Sequence, residues 1–454
     1  MIEKLQTLIK LAIVCLVVYL VYGMYQPDAD RLIGELRASL TGGRTETVSS
    51  SEETEGKGET ERSLILPESY DLRIEGRAPS VKNQGQLGTC WAIAATSALE
   101  SALLPGETMV FSADHMSIQN GYAKSQNDGG AYTMAMAYLA SWKGPVLESQ
   151  DPYGDGYSPE GLSAVKHVQE MRMLHNASLQ EIQEAVMRYG AVQSSLYVDI
   201  QDVSSSAYYN DSRASYCYKG EEEANHDILI IGWDDNYQPQ NFLTTVTSPG
   251  AFICQNSWGT SFGENGIFYV SYEDAQLGTY CTVYTGIEET GNFDHIYQSD
   301  LLGWVGQLGY DTDTCYFANV YETGGNETLE AVGFYATGRN TEYEIYIAED
   351  FYSTLSLVSW MPDATGSFED AGFYTVRLPK PVSLEQGQRY AVVVKIRTPG
   401  ERYPVAMEYQ ADENSAAADI SDGEGYISLG GYRWTNTEDS YQCNVCLKAY
   451  TRNR

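Results

Sequence analysis

The pattern of apolar and polar positions divides the chain into four stretches. Leu11 to Tyr25, "LAIVCLVVYLVYGMY", is uncharged and strongly apolar, but its 15 residues fall short of a membrane span. If Lys10 snorkels its ammonium to the headgroups, Leu5 to Met24 makes a helix of about 20 residues, enough to cross. Lys4 and Lys10 precede the run and Asp28 and Asp30 follow it, which keeps the N-terminus inside and sends the rest outside. A cleaved signal peptide ending near Val21-Tyr22-Gly23 is the rival, and both readings export the chain. Residues 1–25 are thus expected to be a membrane anchor or signal segment. Residues 26–63, including "TGGRTETVSSSEETEGKGETERS", have no hydrophobic period and read as a disordered acidic linker.

From residue 64 the pattern becomes globular. Cys90 to Leu104 is alanine-rich and helical in character. Residues 130–142 and 178–189 carry apolar positions at helical spacing, and Ser178 with Glu181 predicts a capping box. Short β-runs follow at "AVQSSLYV", "HDILIIGW", "AFICQNSW" and "GIFYVSY". Helices first and strands later predict an α+β domain over 64–285. Residues 290–454 lack helical stretches. Runs such as "TLEAVGFYAT", "EYEIYIAED", "RYAVVVKIR" and "YQCNVCLKAY", set between turn residues, predict an all-β sandwich.

Charge narrows the partners. The chain has 454 residues, with 28 Lys plus Arg against 62 Asp plus Glu, and its net charge of −34 repels nucleic acid. Of eight cysteines, Cys15 lies in the apolar segment and the others are too scattered for a dense disulfide framework. "CNVC" at 443–446 lacks a second pair or a nearby histidine, so no zinc site is expected. "DTD" at 311–313 and "DGE" at 422–424 are too short to specify calcium. No metal or cofactor is expected.

The chemistry concentrates around "KNQGQLGTCWAIA", residues 82–94. Cys90 opens a helix, where unpaired N–H groups and the dipole favour the thiolate. Gly85 and Gly88 let the preceding loop bend close to a ligand. Gln84 can aim an amide donor at the same point and, with the Cys90 N–H, form an oxyanion hole. Among five histidines, His115, His167, His175 and His295 read as structural or solvated. His226 opens an apolar strand after the acidic loop "GEEEA". Asn256, in "QNSWG", can accept from its second ring nitrogen, and Trp258 can screen that bond and border the substrate. Nucleophile, base and orienting group are then all present.

Four segments in order carry a resemblance: "LPESYDLR…VKNQGQLGTCWAIAA", "NDGGAYTMAMAYLASWKG", "NHDILIIGWDD" and "CQNSWGTSFGENGIFYV". Over roughly residues 66–275 the chain resembles the papain family of cysteine peptidases, and the 136 residues between Cys90 and His226 suit that family's spacing. The resemblance implies Gln84 as oxyanion donor, Cys90 as nucleophile, His226 as base and Asn256 as its orienting partner. It also implies Gly129 and Gly130 as a backbone clamp for an extended peptide. Leu87 and Thr89 depart from the family pattern, so its disulfide beside the nucleophile is absent. The 38-residue linker is too short for the long helical inhibitory segment many relatives carry. Ala224 and Ser195 align near the pocket for the second residue upstream of the scissile bond and suggest room for an apolar side chain. The β-rich tail resembles the lectin-like domain that follows some bacterial and archaeal peptidases of this type. Trp304, Tyr310, Trp360, Tyr432 and Trp434 are either a sugar-stacking surface or internal packing, the latter being favoured.

The expected function is therefore an extracytoplasmic cysteine endopeptidase, membrane-anchored or secreted. Its partners would be a peptide or protein substrate and a possible cell-surface glycan. The rivals are an adhesin or carbohydrate-binding protein built on an inactive peptidase fold, and a cysteine transpeptidase.

Overall fold

Small side chains make the helix Cys90–Leu103 able to pack on all sides. Every residue from Trp91 to Ser101 is buried, as expected of a helix without a polar face. Glu100, buried in that run, is matched by Lys82 at 2.6 Å and by the Phe111 backbone N–H at 2.8 Å. This arrangement belongs to a computed structural model that describes residues 64–199 and 206–454. The anchor and linker expected over 1–63 lie outside the described residues, so no transmembrane helix is part of the observed fold. Among the described residues no helix is long and apolar enough to cross a membrane.

Two further helices flank the first. Tyr132–Ala140 is shorter at both ends than the stretch expected from the sequence. Ala113–Gln119 was not foreseen, and it carries His115. Its cap is Ser112, whose hydroxyl accepts from the His115 N–H at 3.0 Å. The helix Leu179–Tyr189 begins at the expected capping box of Ser178 and Glu181.

The β half is an antiparallel array centred on His226–Asp234, which pairs with Val192–Leu196 on one side and Ala251–Gln255 on the other. Ile267–Ser271 continues beyond Ala251–Gln255, and Tyr280–Tyr284 beyond Val192–Leu196. An unforeseen strand, Glu170–His175, pairs with Tyr280–Tyr284. Its other edge accepts Ala371–Tyr374 from the C-terminal half of the chain. One sheet, 13-stranded among the described residues, therefore runs through both halves. Leu64–Arg454 forms one compact unit.

In the C-terminal half a six-stranded sheet faces the strands Glu327–Ala336, Ala371–Leu384 and Leu447–Asn453. Phe317, Val392 and Val394 from the first sheet pack against Phe334 and Leu447 from the second. The apolar alternation fills this sandwich. The departures from the all-β expectation among the described residues are the short α-helix Thr437–Tyr441 and the 3₁₀ turns Thr290–Asn292 and Thr354–Leu357.

Candidate active site

The loop before Cys90 is tied across the cleft. Gln84 N donates to Ser257 O at 2.8 Å, and Ser257 Oγ donates to Gln84 Oε1 at 2.6 Å. With its oxygen committed to a hydroxyl donor, the amide points Nε2 toward Leu87 O, at 2.7 Å. One hydrogen on Nε2 remains for a ligand. Gly88 and Gly130 are packing requirements: a Cβ on Gly88 would meet Gly129 N at 2.8 Å, and one on Gly130 would meet the Trp91 ring at 2.3 Å. Gly129, at φ +73°, takes a backbone conformation that favours glycine. The Gly129–Gly130 segment is thereby seated against the first turn of the nucleophile helix.

The histidine is fixed from behind. His226 Nε2 lies 2.8 Å from Asn256 Oδ1, and the same oxygen accepts the Ser257 N–H at 2.8 Å. An atom accepting a backbone N–H is the carbonyl oxygen, so Nε2 carries the hydrogen and Nδ1 keeps its lone pair. Trp258, half-buried, lies 4.9 Å from the imidazole and packs edge-on against Phe262.

Electrostatics modify the sequence expectation. Burial first, then the Asp227 charge, push the Cys90 thiol up to about 12, while hydrogen bonds from the backbone N–H groups of Asp227, Trp91 and Cys90 act the other way. The helix N-terminus therefore helps the thiolate but is outweighed by desolvation. Burial also pulls His226 down to about 4, opposed by its bond to Asn256. Both shifts favour the uncharged forms, thiol and neutral imidazole.

Three side chains escaped the sequence reading. Tyr153 Oη donates to Gln84 O at 3.0 Å and also hydrogen-bonds Thr89 Oγ1, clamping both ends of the loop that lacks the family's disulfide. Ser257 joins the Gln84 loop to the Asn256 loop. Asp227 is buried one residue beyond His226, where Ser195 Oγ donates at 2.6 Å and Gln193 Nε2 at 2.8 Å. Ser195 thus serves a carboxyl, which corrects the expected apolar pocket beside Ala224. The "HD" pair in "NHDILIIGW" was the available signal.

The other histidines are structural. His115 Nδ1 meets Tyr138 Oη at 2.6 Å, His167 stacks on Trp142 at 3.6 Å and His295 meets Asn453 at 2.9 Å. His175 packs edge-on against Tyr132 and Tyr280. All seven described cysteines are free thiols, including Cys443 and Cys446. No cluster of three or more His, Cys, Asp or Glu suited to a metal occurs among the described residues. The short acidic motifs are engaged otherwise: Asp311 pairs with Arg402, Asp313 with Arg397 and Glu424 with Arg389. The five aromatic candidates do not act alike. Trp304 packs on Tyr335 and the peptidase-side core and Trp434 on Tyr316, whereas Trp360 is 72% exposed.

A two-part α and β scaffold thus ties the loop before the helix-terminal Cys90 to the loop that holds His226 through Asn256. Residues 66–287 match the papain family of cysteine proteases and residues 296–451 match the lectin-like domain family. The chain thus carries a papain-family domain followed by a lectin-like domain. It is 32% identical to pro-cathepsin H of Mus musculus over 213 residues, covering 45% of this chain and 60% of that protein. Cathepsin K of Mus musculus is 26% identical over 208 residues, covering 44% and 58%. The chain thus spans about three-fifths of the length of these relatives. Among solved structures, the clostridial cysteine protease Cwp84 after propeptide cleavage superposes with a TM-score of 0.75 at 25% identity, over 85% of this chain and 99% of that one. The cysteine protease and lectin-like domains of Cwp84, a surface layer associated protein of Clostridium difficile, give 0.73 at 23% identity over 86% and 90%, a likeness of fold.

Proposed function

We propose that the chain is an extracytoplasmic cysteine endopeptidase that hydrolyses peptide bonds through Cys90, His226 and Asn256. The observation that carries this reading is the double acceptance at Asn256 Oδ1, which leaves His226 Nδ1 as a proton acceptor. Peptide lies extended along Gly129–Gly130 and beside Trp258. The Cys90 proton passes to His226 Nδ1 as the sulfur bonds to the scissile carbonyl carbon. Gln84 Nε2–H and the Cys90 N–H hold the oxyanion. His226 returns the proton to the leaving amine as the C–N bond breaks, takes one from water as its oxygen bonds to the acyl carbon, and gives it back to the sulfur as the C–S bond breaks.

Membrane attachment or secretion through residues 1–25 belongs to the same proposal, supported by the charge asymmetry around the apolar run. So does glycan binding by the C-terminal region, supported by its match to the lectin-like domain. Treatment of the full chain in reducing buffer with an epoxide-type thiol inhibitor, followed by mapping of the adduct, tests the site. A single adduct on Cys90 that is lost in His226→Ala is expected. Labelling of Cys90 no faster than the buried thiols would overturn the reading.

A further inference from the structure

The proposed reaction leaves one buried charge unused. Asp227 retains 9% exposure while its strand neighbours Ile228 and Ile230 have 1% and 0%. Its carboxyl accepts only the two neutral donors Ser195 Oγ and Gln193 Nε2. The ionisable groups that feel it are Cys90 on the nucleophile helix, Tyr132 on the neighbouring helix, and Cys281 and Tyr284 on the strand Tyr280–Tyr284. None of them is a cation. His175, on the strand paired with Tyr280–Tyr284, is held toward its neutral form by burial and by Arg339. Arg339 itself is engaged by Glu181 at 2.7 Å.

A desolvated carboxyl without a counter-charge is costly, and it is relieved by a proton or by a cation brought by a ligand. The surroundings suit the second. Tyr132 and Tyr280 stack at 5.9 Å, and Tyr280 is 43% exposed, so aromatic faces border the approach. Tyr132 follows Gly130 by two residues, so a peptide held along Gly129–Gly130 would lie close to this wall.

We propose that Asp227 is a specificity-determining residue of the cleft and, with Tyr132 and Tyr280, receives the Lys or Arg side chain of a peptide substrate. The proposal rests on the peptidase reading above. It also predicts coupling to the chemistry: a cation beside Asp227 cancels the charge that opposes the Cys90 thiolate. The preference should therefore appear in kcat as well as in KM.

The test is positional scanning of fluorogenic peptides with the full chain at neutral pH. At one position Arg and Lys should exceed Leu, and Arg should exceed its uncharged isostere citrulline, by about 10- to 100-fold in kcat/KM. Asp227→Asn should abolish both ratios, bringing the Arg and Lys substrates down to the level of citrulline and Leu in the same variant. The Arg-to-citrulline comparison needs no variant, so the proposal stays testable if Asp227→Asn fails to fold. A ratio near one at every position, or a ratio that survives Asp227→Asn, overturns it. Absence of all peptide cleavage, with Cys90 unreactive toward the epoxide, overturns the peptidase reading and this proposal together. Cleavage without charge preference overturns this proposal alone.

Discussion

Asp300 and Asp227 are both buried aspartates whose carboxyls are raised by desolvation, yet their surroundings differ in kind. Asp300, in the C-terminal half, has Lys448 Nζ at 2.9 Å from Oδ1, and the two side chains are 0% and 1% exposed. Lys448 is further tied to Gln298 Oε1 at 2.8 Å. Asp227, beside the nucleophile, has hydroxyl and amide donors but no cation. Where a buried charge serves the packing of the sheets, the fold supplies its counter-ion. Where it faces the cleft, the counter-ion is left to the ligand.

The largest effect should come from breaking the Asp300–Lys448 ion pair. Lys448→Met strands the Asp300 carboxylate and should cost about 3–5 kcal/mol, read as a lowered denaturation midpoint at constant m-value. An unchanged midpoint would place the two aspartates in one class. Asp227→Asn should stay within about 1 kcal/mol of the unaltered chain, because asparagine can accept from Gln193 and donate to Ser195. A loss of several kcal/mol there would make Asp227 structural.

Acid should separate charge from shape. Desolvation raises Asp227 above 3.8, the largest of its influences, against the bonds from Ser195 and Gln193. The folded chain thus holds this proton more tightly than the unfolded one. The group contributes stability that is full below pH 3.8 and lost as pH rises through its raised folded value. Arg-over-citrulline selectivity should run the opposite way and shrink as acidification protonates the carboxyl. Rates measured on the two peptides from neutral pH downward check this, and a ratio constant across the range contradicts it.

Which parts were legible follows from what each part needs. The helix Leu179–Tyr189 could be read because its capping box is local, and the His226–Asn256 hydrogen bond because few residue types can make it. The C-terminal strands could be read because both sheets bury alternating residues. Glu170–His175 was missed because Glu, Met, Arg and Leu carry little β preference, and its pairing comes from strands more than 100 residues away. Ala113–Gln119 was missed because one cap and two turns give too short a period. Asp227 was quoted in a motif but not weighed, since only the folded chain brings Ser195 and Gln193 to it and withholds a cation.

The smallest predicted effect concerns Tyr153, which does with a hydroxyl what the family's missing disulfide would do beside the nucleophile. It bonds Gln84 O and Thr89 Oγ1, residues at the two ends of the loop that positions the oxyanion donor. Tyr153→Phe keeps the ring and removes only these bonds, so stability should fall by about 1 kcal/mol. If the hydroxyl positions Gln84, kcat should fall a few-fold while KM and the Arg-to-citrulline ratio stay fixed, because the Asp227 wall is untouched. A change in that ratio instead would mean that loop and wall move together, and the separation between oxyanion support and charge selection would fail.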